Sequence, residues 1–205
     1  MVGEDGADTL TGGTGDDFYI VSDSSVTIVE QAGEGNDRAL VTVNNYTVGA
    51  NVEEAYVGAG VKAIAGNDTG IAMFARNGRA ITLNGGTGND QLYGADQADM
   101  LNGGNGNDYL RGRASFDALN GGDGDDTLVG EDGADTLTGG TGDDLYLVAD
   151  SGVTIVEQAG EGSDSAIVYV DNYTVGANVE VAYVGVGVTA IAASNTGMSI
   201  FARDG

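Results

Sequence analysis

Cysteine, histidine, proline and tryptophan are all missing from this 205-residue chain, and lysine occurs once, at Lys62. Without cysteine there is no disulfide, thiol nucleophile or iron–sulfur cluster, and without histidine the usual zinc ligands and serine–histidine catalysis are gone. Carboxylate pairs remain as acid–base chemistry, but here the carboxylates recur as a lattice along the chain instead of converging as a cleft requires. The expectation is a chain that is not itself an enzyme. About ten prolines would be usual at this length. A backbone excludes proline when nearly every N–H pairs with a neighbouring strand, so the gap predicts continuous ladders. Positive charge is scarce as well: 7 basic residues stand against 32 acidic ones, a net charge of −25. That balance argues against nucleic acid and anionic membrane surfaces as partners. No stretch approaches the roughly 18 consecutive apolar residues of a membrane span. Met1 to Leu10 has neither the basic start nor the apolar run of a secretory signal.

Glycine and aspartate dominate what is present. The 37 glycines far exceed the usual share of about 7%, and the acidic residues divide into 23 Asp and 9 Glu. Aspartate is the shorter carboxylate and tolerates tight turns, which points to loops that present oxygen ligands rather than to acidic helices. Leu, Ile, Val and Phe make up 46 residues, or 22% of the chain, barely above the level of about 20% below which highly charged chains stay disordered. Something has to neutralise the charge before such a chain compacts.

Two repeats are nested. Val2 to Gly78 aligns without gaps on Val129 to Gly205, an offset of 127 with 58 of 77 positions identical. Because Gly205 matches Gly78, after which the first copy runs on through Arg79-Ala80-Ile81-Thr82-Leu83, the sequence is expected to stop inside a unit and to belong to a longer array of repeats. Within the unit lies a period of nine. From Gly85 to Leu147 seven nonapeptides follow one another: GGTGNDQLY, GADQADMLN, GGNGNDYLR, GRASFDALN, GGDGDDTLV, GEDGADTLT and GGTGDDLYL. All place Gly first, Asp sixth and Leu or Tyr eighth. Two more run from Gly3 to Ile20, and degenerate copies stand at Ala32 to Leu40 and Ala159 to Ile167. A flexible acidic linker would not keep an apolar residue at the eighth place of seven successive units.

This line resembles the RTX, or hemolysin-type, calcium-binding repeat G-G-x-G-x-D-x-U-x. VTIVEQAGEG (Val26 to Gly35) and NYTVGANVE (Asn45 to Glu53) look like the connecting segments between such blocks in large secreted RTX proteins. The resemblance covers essentially the whole chain and its specific motif about half. It implies an all-β fold, a right-handed parallel β-roll (a β-helix or solenoid) with several Ca²⁺ ions bound in the turns. In it G-G-x-G-x-D makes a tight turn and x-U-x a short strand of about 10 Å, burying Leu92, Leu101, Leu110, Leu119, Leu128, Leu137 and Tyr146. Two nonapeptides complete one coil, so Asp90, Asp108, Asp126 and Asp144 line one edge and Asp99, Asp117 and Asp135 the other. Carboxylates about 4.8 Å apart repel by roughly 1 kcal/mol in water and about 3 to 4 kcal/mol at an effective dielectric near 20. A hard divalent cation reverses that sign. Calcium accepts six to eight oxygens, whereas magnesium keeps its waters in a smaller octahedron.

The ligands so implied are Asp8, Asp17, Asp37, Asp90, Asp99, Asp108, Asp117, Asp126, Asp135, Asp144 and Asp164. Turn glycines Gly12, Gly13, Gly15, Gly85, Gly86, Gly88, Gly103, Gly104, Gly106, Gly121, Gly122, Gly124, Gly139, Gly140 and Gly142 would lend carbonyls and tight geometry. Filling half to all of these turns would cancel roughly 10 to 22 negative charges. Gln97 and Ser115 replace the fourth-place glycine, and their sites are expected to be weak or empty. Asp23, Asp68, Asp150 and Asp204 fall outside the repeat and read as turn or cap residues; Tyr46 and Tyr173 read as packing at strand ends.

The chain divides into nonapeptide blocks at 1–21 and 85–147, a strand-rich connecting segment at 22–84 and its truncated second copy at 148–205. The leading expectation is a calcium-binding spacer of a large secreted or cell-surface protein, unfolded in calcium-poor cytosol during export and folded outside. Two alternatives stand beside it. One is a module for an anionic polysaccharide, gripped by Arg76, Arg79, Arg111 and Arg113 near Tyr93 and Tyr109, where an ordinary solvated face is the simpler explanation. The other is an accessory region of an RTX protease, lipase or epimerase whose catalytic domain lies elsewhere.

Overall fold

A computed structural model describes residues 1–76, 78–189, 191–193 and 197–202. Successive strands fall alternately into two layers. One is a twelve-stranded sheet running from Val2–Gly3 to Ser199–Ala202. The strands between them form a seven-stranded sheet, from Tyr46–Thr47 to Thr154–Val156, and two pairs at its ends. All pairing is parallel, and one strand of each layer makes one coil. Among the described residues no helix is long and apolar enough to cross a membrane.

Register follows the double nonapeptide. Leu92 pairs with Leu110, Leu110 with Leu128 and Leu128 with Tyr146 in the large sheet; Leu83, Leu101, Leu119, Leu137 and Ile155 stack in the other. The seven eighth-place residues are each at most 1% exposed. A strand alternates faces, so the residue flanked by polar neighbours is the one that enters the space between sheets. Burying each leucine contributes about 1.5 to 3 kcal/mol. The strands exceed the three residues expected of x-U-x: Met100–Asn105, Tyr109–Ala114, Ala118–Asp123, Thr127–Asp132 and Thr136–Thr141 run on into the next repeat. Pairs such as Gly86 with Gly104 and Thr87 with Asn105 continue the ladder through the glycines.

The same sheet passes without a break through the segments between the blocks. Phe18 pairs with Arg38 and Arg38 with Glu54, so a coil of 20 residues is followed by one of 16, and Leu145, Ser165 and Val181 repeat that alternation. Phe18 and Leu145, 127 residues apart, are seven coils apart. Tyr46 and Tyr173, each 4% exposed, pack in the core.

Candidate metal centre

Each turn is built around one aspartate. The Asp90 N–H donates to Asp108 Oδ1 (2.7 Å), Asp108 to Asp126 (2.7 Å), Asp126 to Asp144 (2.8 Å) and Asp144 to Asp164 (2.9 Å). On the opposite edge Asp99 donates to Asp117 (2.8 Å) and Asp117 to Asp135 (2.9 Å). Ile71 and Ile81 donate to the leading aspartates, Asp90 and Asp99. One carboxylate oxygen thus holds the coil before it. The other, Oδ2 of Asp90, Asp108, Asp117, Asp126, Asp135 and Asp144, is buried with no hydrogen-bond partner. A buried carboxylate oxygen without a donor is costly, so this is where a cation fits the turn.

Glycine makes room for that oxygen. A Cβ at Gly85, Gly103, Gly112, Gly121, Gly130 or Gly139 would collide with Oδ2 of the aspartate five places on. Gly104, Gly122 and Gly140 have φ of 121°, 121° and 106°, a region L side chains avoid, and a Cβ there would strike the carbonyl of Gly86, Gly104 or Gly122 one coil back. Gly106, Gly124 and Gly142 stand likewise against Gly88, Gly106 and Gly124. Carbonyls and carboxylates therefore line both turn edges at a spacing set by the ladder. Burial pushes Asp90, Asp117, Asp126 and Asp144 up to about 7 and Asp108 up to about 6, against donated N–H bonds that act the other way; neighbouring carboxylates push Asp90, Asp117, Asp126 and Asp144 further up. Burial likewise raises Asp99, Asp135 and Asp164.

The two substituted turns differ from each other. At Gln97 the loop takes another shape, and Asp99 Oδ2 accepts the Ala95 N–H at 2.7 Å. At Ser115 the backbone keeps positive φ (93°), as do Arg113 (85°) and Glu131 (71°), and Asp117 Oδ2 stays without a partner. Asp8 resembles Asp99: its Oδ2 accepts the Glu4 N–H at 3.1 Å. Asp23 and Asp150 cap turns through Ser25 and Gly152, and Asp68 accepts from Thr87; Asp204 lies outside the described residues.

Sequence reading missed two sets of groups. Fifth-place Asn89, Asn107, Asp125 and Asp143 form a second, exposed ladder: their Oδ1 atoms accept N–H bonds from Asn107, Asp125, Asp143 and Ser163 one coil on. The signal was present, since Asn or Asp fills the fifth place on one edge and Ala or Phe on the other. Glu53 and Glu180 accept from the Asp37 and Asp164 N–H groups at 2.7 and 2.8 Å, as an aspartate does elsewhere.

Arg79 lies apart from Arg76 and Arg111. Tyr93 pairs with Arg111, whose guanidinium is held by Glu131. Arg76 lies 5.8 Å over the Tyr56 ring. Arg79 lines a separate hollow with Lys62, Met100 and Phe116.

Residues 1–21, 82–110 and 111–146 match the family model of the RTX calcium-binding nonapeptide repeat, in four copies. No curated protein matches the chain, and no solved structure does.

Proposed function

We propose that the chain, whose residues 1–21, 82–110 and 111–146 match the RTX calcium-binding nonapeptide repeat, is a calcium-dependent folding module serving as a spacer in a large secreted or cell-surface protein. The supporting observation is the double row of buried aspartates, in which Asp90, Asp108, Asp117, Asp126, Asp135 and Asp144 each have one oxygen committed to the ladder and the other without a donor. Without cations, deprotonated carboxylates stacked at coil spacing oppose the roll; with calcium in the turns the same groups hold it. A chain exported through calcium-poor cytosol stays open and closes where calcium is plentiful, because the ion binds the folded state alone. Far-UV circular dichroism during a calcium titration after chelator dialysis, with magnesium as control, tests this. The expected outcome is a cooperative gain of β signal with calcium only. Full β signal in chelator at neutral pH would sink it.

A second reading, a surface for an anionic polysaccharide, draws on the stacked rings of Tyr56, Phe74 and Tyr93, with centroids 5.3 and 4.8 Å apart, and on Arg76 beside them. Retention of the calcium-loaded chain on immobilised alginate, weakened by Arg76→Ala or Arg111→Ala, would support it; no retention would remove it.

A further inference from the structure

Where each nonapeptide block ends, the coil changes chemistry. Thr11 pairs with Val29, and the Gly12 N–H donates to Glu30 Oε1 at 3.2 Å, so a glutamate stands where the next coil would place the first glycine of its repeat. Its carboxylate turns inward. Tyr19 Oη, Asp17 Oδ2 and Glu30 Oε1 crowd the point where a Cβ of Gly12 would lie. The second copy repeats this at an offset of 127: Gly139 N–H donates to Glu157 Oε1 at 3.2 Å, Tyr146 Oη is hydrogen-bonded to the same oxygen, and Asp144 Oδ2 joins them over Gly139. In both copies an oxygen from each of the three carboxylates, Asp17, Glu30 and Asp37 or Asp144, Glu157 and Asp164, lies within 4.8 Å of the others.

We propose that these two triads are calcium sites of a second kind, which join the end of each block to the connecting segment through a glutamate outside the nonapeptide motif. The proposal rests on the calcium reading of the repeats. Beyond the clustering of acids, partnerless oxygens point inward: Oε2 of Glu30 and Glu157, Oδ2 of Asp144 and Oη of Tyr19, on residues 7, 9, 2 and 0% exposed. Three carboxylates and a phenol form a hard oxygen set suited to calcium.

Supporting contacts fix the glutamates in place. Asn51 and Asn178, at φ of 58° and 61°, donate through Nδ2 to the Glu30 and Glu157 carbonyls, both at 3.0 Å. Tyrosine also acquires a reason at these two places: among the repeats of the long block only the last carries Tyr at its eighth position, where a leucine would fill the core and leave the site without its phenol.

The test is the number of ions retained by the full chain in equilibrium dialysis, at free calcium just sufficient to saturate the parent. Glu30→Gln and Glu157→Gln remove charge at nearly constant shape and should weaken their sites about 10- to 100-fold. About one ion is then lost from each single variant and about two from the double, with calcium-induced β signal retained. An unchanged ion number in folded variants overturns the inference. Should the glutamine variants not fold, Tyr19→Phe with Tyr146→Phe decides: tyrosine-sensitised terbium emission falls if these sites exist, and emission equal to the parent's overturns them. A parent chain that binds no calcium would instead defeat the reading of the repeats as a whole.

Discussion

Asp126 illustrates what one residue does in this fold. Its Oδ1 holds the Asp108 N–H, its own N–H is held by Asp144, and its Oδ2 is buried over Gly121 without a partner. Asp126→Asn preserves the acceptor in the ladder and removes the charge. The calcium midpoint should move up about 10- to 100-fold, while the metal-free chain should be no less structured than the parent, as circular dichroism in chelator would read. Gly121→Ala puts a methyl group against Oδ2 and should cost about 1 to 3 kcal/mol in calcium-loaded thermal unfolding. Proton linkage has a definite sign. Carboxyls raised from 3.8 to about 6 or 7 by burial favour the metal-free fold below their unfolded value, and that contribution disappears as pH climbs through the window to about 7. In chelator, β signal should therefore be greater near pH 4 than near pH 7.5, whereas calcium affinity should rise across the same interval. Equal signal at both pH values would contradict the burial of these groups.

Among the elements, the nonapeptide block was the most legible. The rows Asp90-Asp108-Asp126-Asp144 and Asp99-Asp117-Asp135 and the leucine stack follow from a strict period, which fixes register once two repeats make a coil. Elsewhere the period slips. Glu30 lies 18 residues beyond Gly12 but Asp37 lies 20 beyond Asp17, and a pattern counted in nines does not reveal that a coil can lengthen by two and recover by shortening to 16. The turn at Gln97 was legible as a departure, but whether a substituted turn keeps its shape depends on backbone torsion: Ser115 adopts positive φ and Gln97 does not. Ala95→Gly with Gln97→Gly should restore the glycine turn, free Asp99 Oδ2 from the Ala95 N–H and add about one bound calcium. Ser115→Gly should raise thermal stability by about 1 kcal/mol at unchanged ion number.

Across the whole molecule, a chain with a net charge of −25 has its described residues closed into one stack of parallel coils, with aspartates on both turn edges and aliphatic residues between the sheets. Coils touch their neighbours in the stack, so stability is a sum over adjacent pairs, and a cation bound in a turn would act at such a junction. The fold and its charge balance depend on where the ions sit. Crystals of the calcium-loaded chain, measured for anomalous scattering, locate them directly. The predicted result is a column of peaks along each turn edge, beside Oδ2 of Asp90, Asp108, Asp126 and Asp144 on one side and of Asp117 and Asp135 on the other. A folded roll whose calcium lies only on exposed surface carboxylates, with none beside these oxygens, would contradict it.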